Sequence, residues 1–205
     1  MDRHTDAALV CRNDESRFHS AFPGASPSEL TSVLETLPPA THPSSADDIG
    51  PVTVRGASVH ISCRIYLPEP AEDAVARLSE KGQAILSCWY TRHHDGRVRE
   101  KYLRRVLMTD AEPWTVPFVV QLLGEYVREL LDLVSAHADA LQGEHYRRFS
   151  EENPTFVRLT KQRIVSYWSC YQRHNSRRFR DYVGFRLADA LGWWLPRERR
   201  RILER

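Results

Sequence analysis

Glycines are few and scattered, cysteines are few and isolated, and there is no long apolar run. Each shortage closes off a class of function. The nine glycines form no phosphate cradle: there is no P-loop and no G-x-G-x-x-G fingerprint. The G-x-S-x-G elbow of serine hydrolases, the H-E-x-x-H helix of zinc proteases and a helical Glu-x-x-His pair are absent too. The four cysteines, Cys11, Cys63, Cys88 and Cys170, lie far apart with no C-x-x-C pair. They read as free thiols rather than a disulfide frame or a metal knuckle. No apolar stretch approaches the ~18 residues that cross a bilayer. The first residues, MDRHTDAALVCRNDESRF, mix acids and bases where a secretory leader would be apolar. The expectation is a cytoplasmic protein with no transmembrane segment and no cofactor.

Lysine is also scarce, three residues against 26 arginines. An arginine preference that runs through the whole chain is not in itself a sign of phosphate recognition. The distribution of charge says more. Residues 1–154 hold 23 acidic and 16 basic residues, a net of −7, and residues 155–205 hold 13 basic and four acidic residues, a net of +9. Such asymmetry points to an acidic partner for the C-terminal quarter, either a protein surface or a nucleic acid.

Periodicity predicts a mainly α protein: a single bundle of about six helices with a β-hairpin near residues 52–67. Residues 1–50, interrupted by Pro23, Pro27, Pro38, Pro39 and Pro43 and followed by Pro51, read as a flexible arm, with one helix over 27–37 that Ser26, Pro27 and Glu29 start as a capping box. Residues 51–195 form the hairpin and helical domain, and residues 196–205 a basic end. The alternation of Val59, Ile61, Cys63, Ile65 and Leu67 marks a strand, with a turn at Gly56-Ala57. Ser79 and Asp95 are placed to cap two helices, and Asn153 a third with Pro154 in its first turn. The longest pattern, Pro117 to Leu141, reads as one continuous core helix. Phe118, Val119, Leu122, Leu123, Tyr126, Val127, Leu130, Leu131 and Val134 lie on its apolar face, with Gly124 as a close packing contact.

Two resemblances are local. The turn Asp95-Gly96-Arg97-Val98-Arg99, followed by Leu103 and Val106, resembles the turn between paired helices of HEAT-type solenoids, and it occurs once. The run His93-His94-Asp95 resembles the centre of HD-type metal phosphohydrolases. That resemblance makes His94 and Asp95 candidate metal ligands, with His60 and Asp132 or Asp139 completing the set. The alternative is structural: histidines at a helix C-terminus and an aspartate capping the next helix.

The remaining candidates are in the basic quarter. Arg173, Arg177, Arg178, Arg180, Tyr182, Trp193 and Trp194 combine guanidinium groups with rings that helical spacing leaves free, whereas Trp168, Tyr171 and Phe179 fall at core positions. No catalytic residue is identified. The leading expectation is an interaction or adaptor protein that binds another protein or self-associates. A nucleic-acid binder using the C-terminal helices comes second, and an HD-like phosphohydrolase third.

Overall fold

A computed structural model describes residues 15–39, 50–109 and 112–203. The protein is mainly helical, with eleven α-helices and one two-stranded antiparallel sheet among the described residues. The chain divides into two compact units, Met1–Asp110 and Ala111–Arg205, where a single bundle of about six helices was expected. The difference in number comes from helices at residues 15–21, Glu72–Ala76 and Pro196–Leu203, where none was placed, and from a break inside the expected 117–141 helix.

In the first unit, helix α1 (residues 15–21) and helix α2 (Pro27–Thr36) are followed by strands β1 (Val52–Val54) and β2 (Ala57–Val59). Helices α3 (Glu72–Ala76), α4 (Glu80–Tyr90) and α5 (Gly96–Leu107) complete it. The capping signals work as expected. Ser26 Oγ accepts from the Glu29 N–H at 3.3 Å, Ser79 Oγ from the Gly82 N–H at 3.0 Å, and Asp95 Oδ1 from the Arg97 N–H at 2.8 Å. Almost every side chain of α4 from Ala84 to Tyr90 is buried, so α4 is the core helix of this unit and packs against α2 and α5.

The first helices belong to that core. Phe18 and Phe22 are buried, and the Phe18 ring lies 5.1 Å from Trp89 and 5.2 Å from Phe22. Leu30 and Val33 of α2 are buried as well. Residues 15–37 are therefore packed structure rather than a loose arm, because four large apolar side chains leave water there together.

The hairpin turns at Arg55-Gly56, one residue earlier than expected. Both residues have positive φ (50° and 80°), the geometry of a two-residue type I′ turn. Its second strand ends at Val59. Residues 61–67 keep the expected inward positions in part, with Ile61, Ile65 and Leu67 buried but Cys63 half-buried and Ser62, expected outward, buried, and they pair elsewhere. The Ile65 N–H donates to Arg92 O at 3.0 Å and the His94 N–H donates to Ile65 O at 3.1 Å, a single parallel bridge to the α4–α5 turn. Arg92, fully buried, donates from Nε to Ser62 O and from Nη2 to Cys63 O. These bonds satisfy carbonyls that a longer hairpin would have paired.

The second unit holds α6 (Val116–Leu123), α7 (Arg128–Ser135), α8 (Glu144–Glu152), α9 (Pro154–Tyr167), α10 (Val183–Ala190) and α11 (Pro196–Leu203). Short 3₁₀ turns lie at Ala138–Gln142 and Phe179–Asp181, and α9 runs on into a π-helical turn, Trp168–Gln172. Helix α6 is buried all round and packs against α7, α8, α9 and α10.

The expected continuous helix over 117–141 is broken. The Gly124 N–H turns back to Gln121 O and the Glu125 N–H to Leu122 O, Val127 is extended, and a new helix starts at Arg128. A straight helix of that length would run about 37 Å, more than the width of a small domain. Folding it at glycine, the weakest helix former after proline, lets Leu122 and Leu130 reach the same core. The break turns Tyr126 out to solvent, 56% exposed, although helical spacing put it inside. Gly124 is a close contact as expected: an added Cβ would lie 3.3 Å from Arg163 Cδ and 3.4 Å from Thr160 Cγ2. Asn153 precedes α9 without capping it, and its Nδ2 instead donates to Phe149 O at 2.8 Å, closing α8.

Candidate binding surface at the end of α9

Three of the ring residues expected to be free belong to the core. Tyr182, Trp193 and Trp194 are 1%, 6% and 8% exposed. Gly192 (φ 69°) ends α10 in a Schellman motif, in which the Trp193 N–H donates to Ala188 O and the Gly192 N–H to Asp189 O, both at 2.9 Å. That reversal folds both tryptophans back onto the unit. Trp193 Nε1 donates to Ser150 Oγ at 2.9 Å, and Trp194 Nε1 donates to Phe185 O at 3.2 Å while its ring stacks on Phe185 at 5.4 Å. Burial pushes the Tyr182 phenol up to about 12.

A different set of rings is exposed. Tyr126, Tyr167 and Tyr171 form a triangle with centroids 6.1 Å, 6.2 Å and 6.1 Å apart. Tyr126 and Tyr171 are each 56% exposed and Tyr167 is half-buried. On α9, Leu159, Arg163, Tyr167 and Tyr171 follow one another at four-residue spacing and form one ridge. In α-helical geometry such a ridge drifts about 40° around the axis at each step. Tyr171 lies on the wider π turn, and both it and Tyr167 have their rings beside Tyr126. Turns of this kind are uncommon and recur at functional sites. Sequence spacing missed this surface because the break at Gly124 and the π turn are what present it.

The charge along the end of α9 and the loop after it is of one sign, whereas Tyr126 is flanked by Glu125 and followed one turn on by Glu129. Residues 153–180 contain seven Lys and Arg side chains and no Asp or Glu. Arg173, exposed, sits with its guanidinium 5.0 Å from the Trp168 ring centroid, and Trp168 Nε1 donates to Ser176 O at 2.8 Å, which holds the following loop against the end of α9. Arg177 and Arg178 on that loop are exposed. Arg158, Arg163, Arg177 and Arg178 make no ion pair among the described residues. Lys161 is engaged, paired with Glu198 at 2.7 Å and lying 4.9 Å over Trp194, and Arg180 donates to Leu203 O. Arg180 is thus tied down, and Arg173, Arg177 and Arg178 are available.

The other basic surface differs. Arg97, Lys101, Arg104, Arg105, Glu100 and Met108 line a shallow depression on α5. There Lys101 pairs with Glu69 and Glu72, Arg105 with Glu72, and Arg104 with Glu100, at 2.6–2.9 Å. Lys101 and Arg105 hold the Glu72 carboxyl below its ordinary range. Its charge is largely internally balanced.

The His93-His94-Asp95 run holds the chain together locally. His93 is buried, its Nε2 bonds Leu67 O at 2.9 Å and its Nδ1 accepts from the Asp95 N–H at 3.0 Å, so both ring nitrogens are engaged in the neutral tautomer. Desolvation holds its pKa below the usual histidine value. His94 stacks on Tyr66 at 5.1 Å, and Asp95, held acidic chiefly by its bond from the Arg97 N–H, caps α5. Asp132 pairs with Arg128 at 3.1 Å. Among the described residues no three His, Cys, Asp or Glu side chains converge on a point where a metal could sit. No helix among the described residues is long and apolar enough to cross a membrane.

No protein-family model, curated protein or solved structure matches this chain.

Proposed function

We propose that the protein is an interaction module whose working surface is the end of α9 and which takes an anionic partner. The observation that carries this reading is the triangle of Tyr126, Tyr167 and Tyr171 at the end of a helix that carries Arg163 and runs into the loop of Arg173, Arg177 and Arg178, arginines that make no ion pair among the described residues. Exposed tyrosines and arginines in one patch are the side chains that dominate binding surfaces. They offer large rigid contact area at little entropic cost, and forked donors for acidic groups. Unpaired cations add long-range attraction for a negative partner. The reading keeps the cytoplasmic placement expected from the sequence and requires no cofactor.

A panel of anionic ligands tests it: an acidic peptide, a single-stranded oligonucleotide and the protein itself, the last by sedimentation. Wild type is expected to bind at least one of them. Tyr126→Ala combined with Tyr171→Ala is expected to lose that binding with the fold retained, as read by circular dichroism. Equal binding by wild type and variant throughout the panel would remove the end of α9 as the working surface. A protein partner is the second reading, favoured by the tyrosine and arginine composition of the patch itself.

A further inference from the structure

We infer that the anionic partner is a single-stranded nucleic acid, with bases stacked on Tyr126, Tyr167 and Tyr171 and phosphates held by Arg163, Arg173, Arg177 and Arg178; this rests on the binding-surface reading above. Charge and ring exposure together select this class. A protein partner presents donors and acceptors of both signs at its rim, and a surface built for it offers both in return. Residues 153–180 offer no carboxylate at all. A phosphate backbone is anionic along its whole length and meets only complementary charge along that segment.

The rings decide between single and double strands. The triangle lies at a helix end and its three phenols stand 6.1–6.2 Å apart. Base faces are open to stacking only where they are unpaired, and stacking is tolerant of sequence because every base has a π face. Arg163 precedes Tyr167 by one turn on the same ridge, and the loop carrying Arg173, Arg177 and Arg178 is held to the same end of α9 through Trp168. The rings and the guanidiniums thus belong to one stretch of chain, the end of α9 and the loop that follows it. RNA and DNA share this chemistry, so both are used in the test.

The experiment uses the full chain with fluorescein-labelled oligo-U, oligo-dT and a duplex of equal length, read by fluorescence anisotropy. If four phosphates are neutralised, log K falls against log salt with a slope of about −3, roughly a fiftyfold loss of affinity between about 50 and about 200 mM salt. Tyr126→Ala and Tyr171→Ala are each expected to weaken binding between about fivefold and a hundredfold without changing the slope, since a ring carries no charge. Tyr→Phe at the same positions keeps the ring and should keep most of the affinity. Arg177→Gln with Arg178→Gln should flatten the slope by about 1.4.

The inference is overturned if the duplex binds as tightly as the single strands and the alanine variants bind like wild type. It is also overturned if an acidic peptide binds and loses binding in the tyrosine variants while neither oligonucleotide is retained; in that case the binding-surface reading stands. If no ligand binds and the variants change nothing, both fall. Binding of oligo-U and oligo-dT alike supports the inference for single strands in general, and preference for one names the physiological sugar.

Discussion

Replacing Phe18 by alanine tests whether the first helices are core or appendage. The ring is fully buried, edge-on to Trp89 and beside Phe22, inside the first unit. Removing a buried phenylalanine costs about 3–5 kcal/mol, the transfer of the lost atoms plus the cavity they leave. Total stability for a domain is about 5–15 kcal/mol, so the substitution should consume about a fifth of it or more. A chain starting near Ile49 loses Phe18, Phe22, Leu30 and Val33 together. At about 1.5–3 kcal/mol for each buried side chain, that is about 6–12 kcal/mol, enough to unfold the first unit. The composition of residues 1–50 suggests the reverse outcome, a truncated chain that melts like the whole. Urea titration followed by tryptophan emission reads the change directly, because Trp89 is the ring that Phe18 covers. A loss below about 1 kcal/mol for Phe18→Ala, with unchanged Trp89 emission, would refute the packing argument.

Three further outcomes are expected. An added Cβ at Gly184 would meet Tyr182 Cε1 at 2.6 Å and Ile164 Cγ2 at 3.1 Å. Gly184→Ala should therefore destabilise by about 1–2 kcal/mol in chemical denaturation, overpacking outweighing the gain in helix propensity; a gain in stability would show that Tyr182 can give way. His93 has a folded pKa below the ordinary histidine value of 6.5 because burial penalises the imidazolium. The unfolded chain therefore binds the proton more readily, and stability is full above about 6.5 and falls as pH drops below it, down to the folded pKa. His93→Gln should flatten that part of the stability–pH curve, and an identical slope in both proteins would refute the assignment. Glu72 bridges Lys101 and Arg105 but is 62% exposed, so Glu72→Gln should cost less than about 1 kcal/mol and nothing at high salt, as thermal melts at two ionic strengths would report.

Local signals were legible in the sequence. Ser26 with Pro27, Ser79 and Asp95 start helices where their side chains can reach an N–H two or three residues on, and Gly192 stops α10. The alternation over residues 59–67 marked which side chains turn inward, and the charge asymmetry marked the C-terminal quarter as the place to look. Each of these depends on one turn of chain or on counting, so neighbours distant in sequence do not alter it. What faces solvent does depend on such neighbours. The 117–141 pattern is apolar enough for one buried helix, and only the size of the unit it must fit explains the break at Gly124 that exposes Tyr126. Trp193 and Trp194 lost their candidacy because a Schellman reversal folds them back onto the unit, and Tyr182 because its ring packs against Gly184 and Phe179, while Tyr171 gained it on a π turn. The two basic surfaces are both rich in arginine, and only α5 has a carboxylate of its own, Glu100. Folding brings Glu69 and Glu72 to the lysine and arginines of α5 and brings no carboxylate to Arg177 or Arg178, since a charge is cancelled by whatever the tertiary structure places within a few ångströms of it.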